Sequence, residues 1–130
     1  MVGGGVKLVY EYALVRVVPR VERGEQINAG VLVYSRQAGV LRAAIHLDEA
    51  RLLALDPAAD VAAVRAALDA VAGVCGGGAA AGQAADEEPG RRFRWLTAPR
   101  STVVQPGPVH CGLSADPAAE ADRLLALLVH

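Results

Sequence analysis

The stretch from Ile27 to Leu47, "INAGVLVYSRQAGVLRAAIHL", constrains the fold more than any other. Two short runs rich in β-branched and aliphatic residues, Ile27 to Ser35 and Val40 to Leu47, flank the turn "RQAG". Apolar runs of that length divided by a turn former read as strands, and so short a connection joins neighbours that run in opposite directions. An antiparallel hairpin is expected here.

A third strand is expected ahead of it. "KLVYEYALVRVV", Lys7 to Val18, carries β-branched and aromatic residues without a turn former, and Pro19 closes it. Within this run Arg16 shares a face with Tyr12, Leu14 and Val18. A guanidinium buried in such a strand needs a partner or a ligand. The polar connection "PRVERGEQ" follows, turning at Gly24.

Beyond residue 47 the chemistry becomes helical. Asp48 is placed to cap a short helix over "DEARLLAL". Asp56 and Pro57 open a longer one ending at Gly73, with Val61, Val64, Leu68 and Val71 on one face. Asp116 and Pro117 repeat that start ahead of "AAEADRLLALLV", whose Leu124, Leu125, Leu127 and Leu128 form a broad apolar face. The Gly- and Ala-rich "GGGAAAGQAADEEPG" reads as a loop or a loosely formed helix. "RRFRWLTAPRSTVVQPGP" returns to strand-like residues, but Pro99, Pro106 and Pro108 lack backbone donors and suit an edge. The expected class is α+β, one domain over residues 1–130. Its antiparallel sheet combines the first three strands with the 102–112 segment, and helices 57–73 and 117–129 pack on one face.

Composition narrows the function classes. A formal net charge of −1 argues against a global basic footprint, so nucleic-acid binding is not the leading expectation. Four arginines, Arg91, Arg92, Arg94 and Arg100, nonetheless gather within residues 91–100. Cys75 and Cys111 have no CxxC spacing and no leader-like segment precedes them, which suits a reduced, cytoplasmic protein. Metal-ligand spacing, a phosphate-binding loop and a dinucleotide fingerprint are absent, so neither metal nor cofactor is expected. No apolar run approaches the roughly 20 residues of a membrane span.

The polar residues concentrate in "TAPRSTVVQPGPVHCG", Thr97 to Gly112. Arg100, Ser101 and Thr102 place a guanidinium fork and two hydroxyls in sequence, a donor set suited to phosphate or carboxylate. Alternatively the hydroxyls satisfy backbone groups near Pro99 and Arg100 pairs with an acid. His110 and Cys111 project to opposite sides of an extended segment, so they form no thiolate and base pair. Cys111 then reads as a small buried hydrophobe and His110 as a hydrogen-bonding or acid–base residue. "RRFRW", read as a strand, directs Arg91, Phe93 and Trp95 one way. Phe93 and Trp95 would serve the core, with stacking on nucleic-acid bases the alternative. Around the first turn, Arg16, Arg20, Arg23, Glu25 and Asn28 cluster in sequence.

Three blocks, "YEYALVRVVPRVERGEQINAGVLVY", "LDEARLLALDP" and "RFRWLTAPRSTVVQPGPVHCGL", together resemble a bacterial family known as domain of unknown function 3037. The resemblance covers nearly the whole chain. It draws attention to Arg16, Pro19, Arg20, Gly24, Glu25, Asn28 and Gly30, and to Arg100, Ser101, Thr102, Gln105, Pro108, His110 and Gly112. Gln26 and Ala29 depart from its pattern. Members are often encoded beside HipA-like kinase proteins, which implies a partner or shared pathway. The Ala, Arg and Gly content suits a GC-rich actinobacterial source.

Two functions are carried forward. One is a noncatalytic binding or accessory protein in which Arg16, Arg20, Asn28, Arg100, Ser101, Thr102, Gln105 and His110 engage an anionic small molecule or carboxylates of a HipA-like kinase partner. The other is an enzyme acting on a phosphorylated or nucleotide substrate, with His110 as acid or base and Arg100 stabilising developing charge.

Overall fold

A computed structural model of the protein describes residues 6–76, 88–100 and 102–130. Five strands and four helices follow in the order β1 (Leu8–Val17), β2 (Ile27–Ser35), β3 (Val40–Ile45), α1 (Glu49–Leu55), α2 (Val61–Gly76), α3 (Pro89–Leu96), β4 (Val104–Pro106), β5 (His110–Ser114) and α4 (Pro117–Leu128). All pairings are antiparallel, in the order β3-β2-β1-β4, with β5 also on β1. The α+β class is as expected. So is the entry of the 102–112 segment into the sheet.

The β2–β3 turn closes at Gly39, whose φ of 65° favours glycine, and its N–H donates to Arg36 O at 3.2 Å. Ser35 pins the same corner, donating from Oγ to Val9 O at 2.8 Å.

Both parities of β2 are apolar, and this decides the layering. Leu32 joins Val15, Val17, Leu52, Val64, Leu68, Phe93, Leu96 and Val104 in one core. Val31 and Val33 point the other way and pack with Tyr10, Ala44, Ala121 and Leu124. A sheet apolar on both faces must be covered on both. Helices α2 and α3 therefore take one face and α4 the other, whereas the sequence reading put helices 57–73 and 117–129 on a single face.

Two further expectations change. The second helix begins at Val61: Asp60 Oδ1 accepts from Ala63 N–H at 3.0 Å, while Asp56 Oδ1 accepts from Ala58 N–H in a separate turn. Aspartates four residues apart compete for the start, and the later one precedes the unbroken helix. Residues 89–96 form a helix, not a strand. Pro89 fixes a helix-compatible φ in the first turn, and arginine favours the helix strongly enough to outweigh the aromatic residues' preference for strands. Helical spacing buries Phe93 and Leu96 together and turns Trp95 outward, 56% exposed.

Candidate functional site

Strands β4 and β5 act as one edge strand interrupted by Pro106-Gly107-Pro108. Val15 pairs with Pro106 and Tyr12 with His110, so the edge carries one more residue than β1 over the same span. On the other flank of β1, Val15 pairs with Gly30 and Arg16 with Asn28, leaving Ala29 as an extra residue. The edge irregularity lies opposite Tyr12 to Leu14, where Gly107 N–H donates to Leu14 O at 2.8 Å, and the Ala29 bulge lies opposite Val15 and Arg16; bulges re-aim side chains.

Arg16 lies at this point. Its cross-strand neighbours are Asn28 on β2 and Gln105 on β4, giving one polar row on the face that α4 shields only in part. The guanidinium packs over Gly107: a Cβ there would lie 3.0 Å from Cζ of Arg16. Among the described residues the Arg16 side chain makes no ion pair or hydrogen bond, and its Nε is buried without an acceptor. An unsatisfied buried donor costs about 1–3 kcal/mol.

Its neighbours are engaged. Asn28 donates from Nδ2 to Leu128 O at 3.2 Å, satisfying a carbonyl at the end of α4. Gln105 donates from Nε2 to Thr102 O at 2.8 Å. Further along the same face, His110 is exposed and its ring lies 5.3 Å from that of Tyr12, at 35°. Four residues of strand separate Tyr12 from Arg16, about 13 Å. Beside Tyr12, Tyr10 lies over Gly112 and donates to Glu120 Oε2 at 3.5 Å. Burial, then the Glu120 charge, raise the pKa of the Tyr10 hydroxyl.

The structure thus brings Arg16, Asn28, Gln105 and His110 onto one face and sends the other expected residues elsewhere. Arg20 is exposed in the β1–β2 connection and paired with Glu22 at 3.0 Å. Thr102 donates to Val104 O at 2.7 Å. Ser101 lies outside the described residues. Arg100 belongs to the α3 side of the sheet. Its Cζ sits 4.9 Å from the Trp95 ring centre, and its fork donates to Trp95 O and to Ala98 O. It also borders a crevice lined by Val15, Leu32, Leu96, Val104, Gln105 and Pro106. Arg16 is not among the residues that line it.

Cys111 pairs with Glu11 on the face opposite His110, as expected, but it is exposed rather than buried because β5 is an edge strand. Cys75 is the buried thiol, its pKa pushed up to about 11 by loss of solvent. Among the described residues no group of three or more His, Cys, Asp or Glu is arranged to hold a metal, and no helix is long and apolar enough to cross a membrane.

Sequence reasoning placed Tyr12 on the Arg16 face without its contact with His110, and it missed Gly107. A glycine between two prolines is a signal for close backbone approach, but which side chain approaches depends on register.

An antiparallel sheet flanked by helices, with a polar row around Arg16 beside a proline-broken edge, defines the class. A family model described as a protein of unknown function (DUF3037) matches residues 12–129, and the chain belongs to that family. Comparisons with curated proteins and with solved structures return no match.

Proposed function

We propose that this is a noncatalytic binding protein whose Arg16 face takes an anionic group. One observation carries the reading: the Arg16 guanidinium is held over Gly107 with no counter-ion from the described residues. A carboxylate or phosphate matches a guanidinium fork in charge and geometry. Gln105 and Asn28 flank it across the strands, and His110 with Tyr12 offers a flat contact farther along the face.

Such an anion has two sources, an anionic small molecule or a carboxylate of a partner protein, for which the resemblance suggests a HipA-like kinase. Thermal-shift measurements with inorganic phosphate and nucleotides, set against copurification with the kinase, separate them. Binding to the native state raises the apparent melting temperature by mass action. The effect should vanish in Arg16→Gln and persist in Arg100→Gln. A shift unaffected by Arg16→Gln, with no kinase copurification, would refute the assignment. The enzyme alternative requires turnover of a phosphorylated substrate that is lost in His110→Ala with folding intact.

A further inference from the structure

The α3 side of the sheet presents a second surface, unrelated to Arg16. Because residues 89–96 are helical, Arg91, Arg94 and Trp95 share an outward face, at the three- and four-residue spacing that makes neighbours on a helix. Trp95 is the chain's one tryptophan, and it stands 56% exposed. Arg94 extends the surface onto the sheet by pairing with Glu11 at 2.8 Å. Two residues back along β1, the cross-strand pair Val9 and Leu113 is 50% and 63% exposed. Apolar strand residues, an exposed tryptophan and an arginine rim therefore follow one another over one side of the molecule.

Trp and Arg dominate binding energy at protein interfaces, most of all where their conformations are already fixed. Both conditions hold. Arg100 stacks on the Trp95 ring, and Glu11 holds Arg94. Each guanidinium carries five donors, so pairing with one internal acceptor leaves others for a second carboxylate. Residues 91–100 hold four arginines and no acid, in a chain of net charge −1, and Arg36 joins Arg91 and Arg94 around a cleft that also holds Glu11 and Glu88.

We propose that this α3 and β1–β5 surface docks an acidic polypeptide segment with interspersed apolar residues. The acids meet Arg91 and Arg94, while the apolar side chains cover Trp95, Val9 and Leu113. A nucleic acid fits the surface less well. Single-strand binders stack successive bases on open aromatic faces. Here Phe93 is fully buried and Arg100 covers a face of Trp95.

The sole tryptophan supplies the readout. The intact protein is titrated with a short peptide of alternating Glu and Leu, following Trp95 fluorescence. A saturable change is expected, with affinity weakened about tenfold or more, or about 1.4 kcal/mol, in the Arg91→Gln, Arg94→Gln double variant. Arg65→Gln, exposed and outside this surface, should bind as the parent does. A melting curve for each variant establishes that it is folded, and Arg91→Gln alone, which leaves the Glu11–Arg94 pair intact, provides a second test. The proposal is overturned by no saturable change, by equal affinity in the folded double variant, or by tighter binding of an oligothymidylate than of the peptide.

Discussion

The Arg16 guanidinium lies against Gly107 so closely that any side chain at 107 would displace it, a Cβ there falling 3.0 Å from Cζ and 3.3 Å from Nε. Pro106 and Pro108 flank this glycine in the edge strand, and its N–H donates to Leu14 O at 2.8 Å. Gly107→Ala is therefore expected to weaken phosphate binding while changing stability by no more than about 1 kcal/mol, because the clash is with the end of a flexible side chain. Phosphate-dependent melting shifts and urea unfolding read the two effects separately.

Gly112 behaves differently. A Cβ there would lie 2.6 Å from the Tyr10 ring, and Tyr10 is buried against α4. Overpacking at a ring that cannot move aside costs about 1–3 kcal/mol. Urea unfolding of Gly112→Ala should show a loss of that size, and wild-type stability would contradict the packing described.

Phe93 and Trp95 separate the helix from the strand reading of "RRFRW". Phe93→Ala removes a fully buried ring stacked 5.3 Å from Tyr34 and should cost about 3–5 kcal/mol. Trp95→Ala loses chiefly the stacking with Arg100, worth about 0.5–1 kcal/mol at an exposed site. Comparable losses from both, measured by denaturant unfolding, would return the two rings to a shared buried face.

Much of this architecture was legible in the chain. "RQAG" marked the β2–β3 turn, Asp48 marked the start of α1, and the prolines of residues 99–108 marked an edge. The layering was not, because helix periodicity reveals an apolar face without saying which side of a sheet it covers. Arg16 stood out as a charge in an apolar strand, yet its grouping with Gln105 depends on a pairing between residues far apart in sequence. Arg100 looked like part of the same site from its donor set and the family resemblance; it lines a crevice with Gln105, but the end of α3 draws its guanidinium to Trp95 rather than to Arg16. The segment 77–87, read as a loop or loose helix, lies outside the described residues.

The two cysteines should respond differently to pH and reagent. Burial raises the Cys75 pKa from 9.0 to about 11, so between these values the unfolded chain releases this proton more readily than the folded one. The Cys75 contribution to stability is therefore present below about pH 9 and lost as pH rises toward 11. Cys75→Ala should flatten that part of the pH–stability curve. At neutral pH, iodoacetamide should label exposed Cys111 in the native protein and reach Cys75 only on unfolding, as mass spectrometry of digests would show.

Whether Arg16 seats an anion is read out by an NMR titration of the labelled protein with inorganic phosphate. The expected result is saturable shifts at the Arg16 Nε–H and at the backbone amides of Gln105, Gly107 and His110, all lost in a folded Arg16→Gln variant. Shifts that persist without Arg16, that centre on Arg100, or that never appear would contradict it.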